Sequence, residues 1–386
     1  MDKQRLNKTL VIGIILLFVF MSINPSSAFN NVNKSSFPVS GGNTLYVGGN
    51  GPDNYTRIQD AIDNASSGDT IFVYTGIYHE SIVINKTITL LGEDKNTTII
   101  DSTNISDVSI NITKNADEVT VSGFTIESDE NYWGAISVYL ISDNNTISDN
   151  IMRDYEGIVI EEYEKEVSCG NNISNNFISS WNFGIIIESS TNNVIRGNYI
   201  SHEQCGAIIV EDSQENMIID NQFINNYYGL TLSYSSNNVI SGNVIQNTQE
   251  SGISSHGIGN IICNNIISGN GDGGINLIFA KNHKVYHNHV VNNSFVGIGA
   301  AYSMGNKIYE NNIFNNEMDA RWANTPAEFL FLWRNRWYKN YWGSPRALPK
   351  PIFGFFYFGA IGNFPLSIPR FQYDLFPAQE PYDIEV

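Results

Sequence analysis

Short runs of alternating apolar and polar residues recur along most of the chain, and asparagine or glycine bounds each run. The apolar members are mostly isoleucine and valine, and such β-branched alternation is typical of a strand. Asparagine and glycine tolerate the left-handed backbone that a corner between strands requires. The glycines that open these runs are 22 or 23 residues apart, except for one interval of 27, at Gly134, Gly157, Gly184, Gly206, Gly229, Gly252, Gly274 and Gly297.

A pair of polar markers, five residues apart, identifies each unit, and only His283 departs from asparagine. An apolar residue follows each marker at the second position, as at Ile195, Ile218, Ile240 and Ile262. The pairs are Asn145/Asn150, Asn171/Asn176, Asn193/Asn198, Asn216/Asn221, Asn238/Asn243, Asn260/Asn265, His283/Asn288 and Asn306/Asn311.

A unit of this length holds three short strands and three corners, but it cannot bury its own apolar side chains, so the units must stack. The chain is therefore predicted to be an all-β, single-stranded, right-handed parallel β-helix, since parallel crossovers are right-handed. Residues 134–319 should form eight coils, with Ile195, Ile218, Ile240 and Ile262 in one buried column and the asparagines hydrogen-bonded from coil to coil. A helical or leucine-rich repeat is disfavoured because the units lack helical apolar spacing and a Leu-x-x-Leu-x-Leu frame.

The two ends of the repeat differ from its middle. Residues 45–81 read as an N-terminal cap, with a helix within 55–65 because Ile58, Ala61, Ile62 and Ala65 have helical spacing. The repeats occupy residues 82–319. Residues 320–386 are rich in aromatic residues and proline, which predicts an irregular aromatic C-terminal cap. The alternative for this segment is a membrane-interface patch.

The first 28 residues have the pattern of a signal peptide. Positive residues precede an apolar run that opens at Leu10, and small residues end at Ala28. We therefore predict a signal peptide at 1–28, a linker at 29–44, a secreted or cell-surface location, and no transmembrane segment after signal removal. An uncleaved membrane anchor is the alternative.

The charge balance and the cysteines exclude several classes of protein. The 39 acidic and 21 basic side chains give a net charge of −18, which disfavours nucleic acid as a partner. Cys169, Cys205 and Cys263 are odd in number and widely spaced, so they predict small interior residues rather than a disulfide framework.

Three segments resemble a known family. The stretch YTRIQDAIDNASSGDTIFVYTGIYHESIVINKTITLLGE (55–93) resembles the start of NosD-like proteins with the pectin-lyase fold. The units NNVIRGNYI and NNVISGNVI resemble their parallel β-helix repeats, of the carbohydrate-binding and sugar-hydrolase type. The ending NYWGSPRALPKPIFG resembles the tail of secreted NosD-like proteins common in archaea. The resemblance covers residues 45–386 and implies the fold. It does not imply one activity, because lyases, hydrolases, epimerases and adhesins all use the β-helix.

Glu161, Glu188 and Glu211 are predicted to form an outward column on three successive coils. Each directly follows an inward strand residue, and a six-residue charged insertion, 161–166, begins at Glu161. Three stacked carboxylates could bind Ca²⁺, and two of them could act as the acid and nucleophile of a glycosidase. The alternative is a solvated acidic stripe.

Tyr234, His256, Phe279 and Tyr302 lie four residues before the first marker on successive coils. Facing outward, Tyr234, Phe279 and Tyr302 would form a carbohydrate-binding platform. Strict alternation instead predicts that this column faces inward as an internal aromatic stack.

His283, His287 and His289 are candidate metal ligands, with His256 one coil earlier. His-x-His on a strand would place the rings of His287 and His289 on one side, an arrangement suited to copper or zinc. The resemblance to NosD-like proteins implies copper handling and a role in nitrous oxide reductase maturation. The alternative is that these are surface polar residues at a corner.

These observations predict a protein that recognises polysaccharide along one face of the β-helix. The first alternative is a polysaccharide-cleaving enzyme, although the Asn-Thr-Asp, Asp-Asp, Gly-His-Gly and Arg-Ile-Lys signatures of polygalacturonases are absent from the sequence. The second alternative is a NosD-type copper-handling accessory protein. Ca²⁺ and copper are the candidate cofactors.

Overall fold

A computed structural model of the protein describes residues 42–128, 134–201, 206–325, 334–361 and 364–384. The predicted signal peptide (1–28), most of the predicted linker (29–41) and Cys205 lie outside these ranges.

The described chain winds as a right-handed parallel β-helix whose coils contribute strands to three faces, as the repeat predicts. Face A consists of β4 (Ile82–Ile84), β7 (Val108–Ile112), β10 (Ile136–Leu140), β13 (Glu156–Ile160), β16 (Ile185–Glu188), β19 (Gly206–Glu211), β22 (Tyr228–Ser233), β25 (Ser251–Ile258), β28 (Gly273–Lys281), β31 (Val296–Ala301) and β34 (Met318–Asn324).

Face B follows face A in each coil. It consists of β1 (Thr44–Val47), β2 (Thr70–Val73), β5 (Thr89–Gly92), β8 (Thr120–Ser122), β11 (Thr146–Ser148), β14 (Asn172–Ser174), β17 (Val194–Arg196), β20 (Met217–Ile219), β23 (Val239–Ser241), β26 (Ile261–Cys263), β29 (Lys284–Tyr286), β32 (Lys307–Tyr309) and β35 (Arg336–Tyr338).

Face C completes the coil with a separate parallel sheet. It consists of β3 (Gly76–His79), β6 (Thr98–Asp101), β9 (Thr125–Glu127), β12 (Ile151–Arg153), β15 (Phe177–Ile178), β18 (Tyr199–Ile200), β21 (Gln222–Ile224), β24 (Val244–Gln246), β27 (Ile266–Ser268), β30 (His289–Val291) and β33 (Asn312–Phe314).

The isoleucine column is confirmed. Ile195 pairs with Ile218, Ile218 with Ile240 and Ile240 with Ile262, and all four side chains are fully buried. Because equivalent residues stack at the spacing of neighbouring strands, about 4.8 Å, each side chain packs on its counterparts above and below. The core is therefore one continuous apolar column rather than a set of separate clusters.

Buried asparagine ladders run beside this core at the corners. Asn221 donates hydrogen bonds from its backbone N–H and from Nδ2 to Oδ1 of Asn243, and both distances are 3.0 Å. Asn243 donates to Oδ1 of Asn265 in the same way. These bonds satisfy polar groups that would be costly to bury alone. A further ladder through Asn270, Asn293 and Asn316 was not predicted.

The N-terminal helix α1 (Ile58–Asn64) lies within the segment predicted to be helical. Its buried residues are Ile58, Ala61 and Ile62. The carboxylate of Glu80 accepts the N–H groups of Ile58 (2.7 Å) and Gln59 (3.1 Å), so it satisfies donors that the first helical turn leaves free.

The C-terminal cap is aromatic-rich, as predicted, but the expectation that it is irregular is wrong. The strands β36 (Lys350–Ile361) and β37 (Phe364–Asp374) form an antiparallel hairpin, and β36 extends face A by pairing with β34. The strands were not predicted because the segment is rich in proline, which usually argues against a strand. Proline is nevertheless tolerated at a position where the strand has no partner for an N–H group.

Asp374, at the end of β37, terminates one asparagine ladder. Its carboxylate accepts hydrogen bonds from N–H (2.8 Å) and Nδ2 (3.1 Å) of Asn340 and from Nε1 of Trp342 (3.2 Å).

Among the helices of the described ranges, none has the length and apolar character needed to cross a membrane.

Candidate functional site

Face A changes in chemistry along its length. Outward positions that register on successive strands are Tyr139, Val159, Ile186, Ile209, Thr231, Ser254, Asn276, Gly299 and Arg321. The neighbouring outward positions are acidic on the early coils and aromatic on the later ones. The face therefore offers two distinct chemical regions on one continuous sheet.

The glutamate column occupies the early coils. Glu188 pairs in register with Glu211, and Ile160, which precedes Glu161, pairs with Ile187, which precedes Glu188. Glu161 accepts a hydrogen bond of 3.0 Å from the hydroxyl of Tyr139. The sequence thus placed the three carboxylates on adjacent coils correctly.

Partial burial, and then the charges of Glu161 and Glu211, raise the pKa of Glu188 above its usual value. Burial, followed by the hydrogen bond to Glu161, raises the pKa of the Tyr139 hydroxyl to about 12, so it remains a donor at neutral pH. The carboxylates of the column therefore repel one another, and the hydrogen bond from Tyr139 stabilises the charge of Glu161.

The charged insertion stands beside this column as a short turn closed by hydrogen bonds between Tyr163 and Glu166, of 3.0 and 2.8 Å. A shallow cavity of about 280 Å³ lies at its base, and its lining includes Glu162, Ser189 and Asp212. No group of three or more His, Cys, Asp or Glu side chains within the described ranges is arranged to hold a metal ion.

The aromatic column lies on the outside, so the expectation from strict alternation is wrong. Tyr234, Phe279 and Tyr302 have φ values of 50°, 49° and 51°, and this left-handed backbone reverses the direction that alternation would give. The side chains of Tyr234 and Phe279 are 66% and 56% exposed.

The rings of this column contact one another across four coils. The centroid distances are 4.4 Å for Tyr234–His256, 5.5 Å for His256–Phe279 and 5.2 Å for Phe279–Tyr302. Tyr357 of the C-terminal hairpin lies 6.3 Å beyond Tyr302. We call these four coil residues, Tyr234, His256, Phe279 and Tyr302, the aromatic strip.

A groove of about 290 Å³ continues from the aromatic strip, lined in part by Asn276, Gly299, Tyr302, Arg321 and Tyr357. Gly299 supplies no side chain between Asn276 and Arg321, so the floor of the groove stays open. The Arg321 guanidinium lies over the Phe295 ring at 5.8 Å and the Phe355 ring at 5.3 Å. Sequence reasoning missed the groove because part of its lining, such as Tyr357, comes from the C-terminal hairpin, whose strands were not predicted.

The three candidate histidines are not brought together. His283 is fully buried in the asparagine ladder, where Nε2 lies 2.9 Å from Oγ of Ser255 and Nδ1 lies 3.1 Å from the carbonyl oxygen of Lys281. Burial lowers the pKa of His283 to about 4. The alternative reading of His283 as a surface residue is also wrong.

His287 and His289 do not share a strand, contrary to the prediction. His287 lies at a corner with φ of 53° and its Nε2 is 3.3 Å from a carboxylate oxygen of Glu310, whereas His289 begins β30 on face C. The left-handed residue between two strands breaks the alternation on which the prediction depended.

Two solved structures are similar to this chain, and the first of them supports the assignment of the fold. A lacto-N-biosidase of the GH136 group from Eubacterium ramulus aligns with a TM-score of 0.55 at 12% identity, over 74% of this chain and 64% of that chain. This chain thus spans less than two thirds of that protein. The periplasmic alginate epimerase AlgG aligns with a TM-score of 0.48 at 17% identity, over 72% of this chain and 73% of its own.

No curated protein matches the chain in sequence at a significant level. The family described as "Periplasmic copper-binding protein (NosD)" matches residues 62–230 and 184–364. These two matches overlap and together cover most of the chain, from the N-terminal helix to the C-terminal hairpin. The chain therefore belongs to the NosD family.

Proposed function

We propose that the protein recognises polysaccharide along face A, with the sugar chain parallel to the axis of the β-helix. The observation that carries this proposal is the exposed aromatic strip, which repeats one ring per coil and leads into the groove beside Arg321. The predicted signal peptide and the periplasmic description of the family support a location outside the cytoplasm.

Aromatic rings and sugars are complementary because the apolar C–H faces of a sugar pack on a ring while its hydroxyl groups stay hydrogen-bonded. The rings of the strip contact one another, so little side-chain entropy remains to be lost on binding. In the groove, Arg321 can donate hydrogen bonds to sugar oxygens, and Oδ1 of Asn276 can accept them from sugar hydroxyl groups, since Nδ2 of Asn276 already donates to Ser251 and Asp272. The GH136 neighbour is named for an activity on carbohydrate, and fold alone does not assign a ligand.

Cleavage of the polysaccharide is the second candidate, and Glu188 is the observation that favours it. A carboxyl group with a raised pKa beside two other carboxylates is the pairing that glycosidases use for a general acid and a nucleophile. Glu161 and Glu211 are the flanking carboxylates on the adjacent coils.

Copper handling, which the family description implies, is not supported by the described residues. His283 is buried and hydrogen-bonded within the ladder, His287 faces Glu310, and His289 belongs to a different face. No group of three or more potential His, Cys, Asp or Glu ligands occurs within the described ranges.

A glycan array and a reducing-sugar assay on the wild type separate these functions. Binding without release of reducing ends supports recognition. Release of reducing ends that is lost in Glu188→Gln, with glycan binding retained, would establish cleavage instead. Absence of glycan binding across neutral and acidic polysaccharides would refute the proposal.

A further inference from the structure

A second surface, on face B, carries a column of positive charge. Lys284 pairs in register with Lys307, and Lys307 with Arg336, so the three cations stack on successive coils. All three are exposed, and none has a carboxylate within ion-pairing distance among the described residues. We call Lys284, Lys307 and Arg336 the basic column.

Two exposed arginines on earlier coils are, by contrast, paired with acids from a neighbouring coil. Arg153 lies 3.1 Å from Glu127, and Arg196 lies 3.2 Å from Asp220. In a chain with 39 acidic and 21 basic side chains, an unpaired stack of three cations departs from this arrangement. Like charges on directly opposed residues destabilise a sheet, so the column has a cost that a bound anion would offset.

A column of tyrosines runs beside these cations, two residues further along each strand. Tyr286 stacks on Tyr309 at 5.1 Å and 12°, and Tyr309 stacks on Tyr338 at 4.9 Å and 2°. Each coil thus presents one cation and one phenol ring outward from the same short strand. A ligand with a regular repeat along the axis would meet the same pair of groups on each coil.

The basic column opens into a groove of about 380 Å³ between β35 and β37, where the two strands pair at a single position, Trp337 with Asp374. Its lining includes Arg334, Arg336, Tyr338 and Tyr373. The two guanidinium groups are suited to carboxylate or sulfate oxygens because their donors form a planar fork.

Gln372 gives an independent indication that this groove takes a ligand. Its side chain is only 7% exposed and lines the groove, and its Oε1 accepts a hydrogen bond of 3.0 Å from Nε1 of Trp337. Because indole can only donate, this bond fixes which atom is the oxygen. The remaining Nε2 is buried and has no acceptor. A buried donor without an acceptor is costly, and a small shift of the Gln372 side chain toward the groove would let a ligand oxygen satisfy it.

We propose that the basic column, the tyrosine column and this groove form a second carbohydrate site, specific for acidic polysaccharide. The cations would contact the acid groups, the rings would contact the sugar faces, and Nε2 of Gln372 would donate to a sugar oxygen. The site lies on face B and is separate from the aromatic strip on face A. Nucleic acid is a poorer fit because the net charge of −18 opposes a densely charged polymer.

The test measures binding of oligogalacturonate, a sulfated oligosaccharide and a neutral gluco-oligosaccharide by calorimetry at two salt concentrations. The variants are Lys307→Gln, Arg336→Gln and Gln372→Glu, and the matched control is Lys339→Gln, whose exposed cation is instead paired with Glu310 at 3.3 Å. Circular dichroism of each variant checks that it folds.

Oligogalacturonate, or the sulfated chain, should bind more tightly than the neutral chain and should weaken as salt increases. Lys307→Gln and Arg336→Gln should each weaken this binding by roughly threefold to tenfold. Gln372→Glu should abolish binding because it replaces the amide donor to the sugar with a carboxylate that repels an acidic chain, whereas Lys339→Gln should leave affinity unchanged.

The proposal is overturned if the neutral chain binds equally well, or if Lys339→Gln weakens binding as much as Lys307→Gln. It is also overturned if wild type binds none of these chains. A change of oligomeric state in Lys307→Gln would then show that the column faces another copy of the protein. Loss of binding in Phe279→Ala alone would assign acidic glycan to face A and would equally exclude face B.

Discussion

Nε2 of His283 lies 2.9 Å from the hydroxyl oxygen of Ser255, in a position that asparagine holds in the other coils of the same ladder. The Asn260 amide also lies 3.2 Å from Nε2, so the ring acts there as an acceptor and must be neutral. The residue that looked most like a metal ligand in the sequence is thus one rung of an internal hydrogen-bond ladder.

This burial predicts a loss of stability in acid. The folded pKa of about 4 is below the unfolded value near 6.5, so the unfolded state binds the proton first. His283 therefore contributes stability above pH 6.5 that is lost as the pH falls toward 4, on the order of 3 kcal/mol in full. Urea unfolding of His283→Asn should show a smaller loss between pH 7 and pH 5 than wild type. Equal losses would contradict this role.

Asp154 predicts a shift of the opposite sign. It is buried at an asparagine-like corner position, and its carboxylate accepts hydrogen bonds from Ser128 N–H and Ser137 Oγ. Burial raises its pKa to about 7, so its folded state holds a proton that the unfolded state releases near pH 4.

The resulting stability is present in acid and is lost as the pH rises through 7. Asp154→Asn should therefore stabilise the protein at pH 8 by on the order of 2–4 kcal/mol and should have little effect at pH 4. Chemical unfolding at both pH values measures this difference. The idea fails if the variant is less stable than wild type at pH 8.

The isoleucine column predicts a large effect of a single truncation. Ile240→Ala should reduce the free energy of unfolding by about 2–5 kcal/mol, because neighbouring coils on both sides hold the cavity open. The matched control is Ile278→Ala, on face A, whose side chain is 38% exposed and should change stability by less than about 0.5 kcal/mol. Similar losses in the two variants would argue against a continuous core.

The aromatic strip predicts a selective loss of glycan binding. Phe279→Ala removes a ring that contacts both His256 and Tyr302, and should weaken binding on face A by roughly tenfold, with unchanged folding. Phe177→Ala is the control because Phe177 is 40% exposed and stacks on Tyr199 at 5.2 Å on face C. Equal weakening by the two changes would show that the strip has no special role.

The sequence was sufficient to predict the coils, the isoleucine column and the register of the glutamates, because all three depend on counting from the asparagine markers. It failed where a tyrosine or a histidine, rather than glycine or asparagine, adopts a left-handed backbone, as at Tyr234 and His287, since alternation carries no signal of that conformation. The hairpin was missed for a different reason: its pairing is with β34 and with itself, outside the repeat.

The basic column was missed although a signal existed. Lys284 and Lys307 each directly follow the first marker of their units, and Arg336 follows Asn335, which is a rung of the same ladder. These three residues are charged, whereas the residue at the equivalent position of the preceding coil, Ile261, is apolar and pairs with Lys284. A comparison of equivalent positions in successive units would therefore have identified the three cations.

The carboxylate of Asp374 also gives the β-helix a defined end. In each ladder the amide of one coil donates to an acceptor on the next coil, so the series has a chemical direction. An ionised carboxylate accepts but cannot donate. Asn340 therefore completes its hydrogen bonds on Asp374, and that ladder passes no donor on to a further coil. The hairpin thus disfavours head-to-tail polymerisation. A β-helix is prone to such polymerisation because the exposed edge of each coil can pair with a further coil.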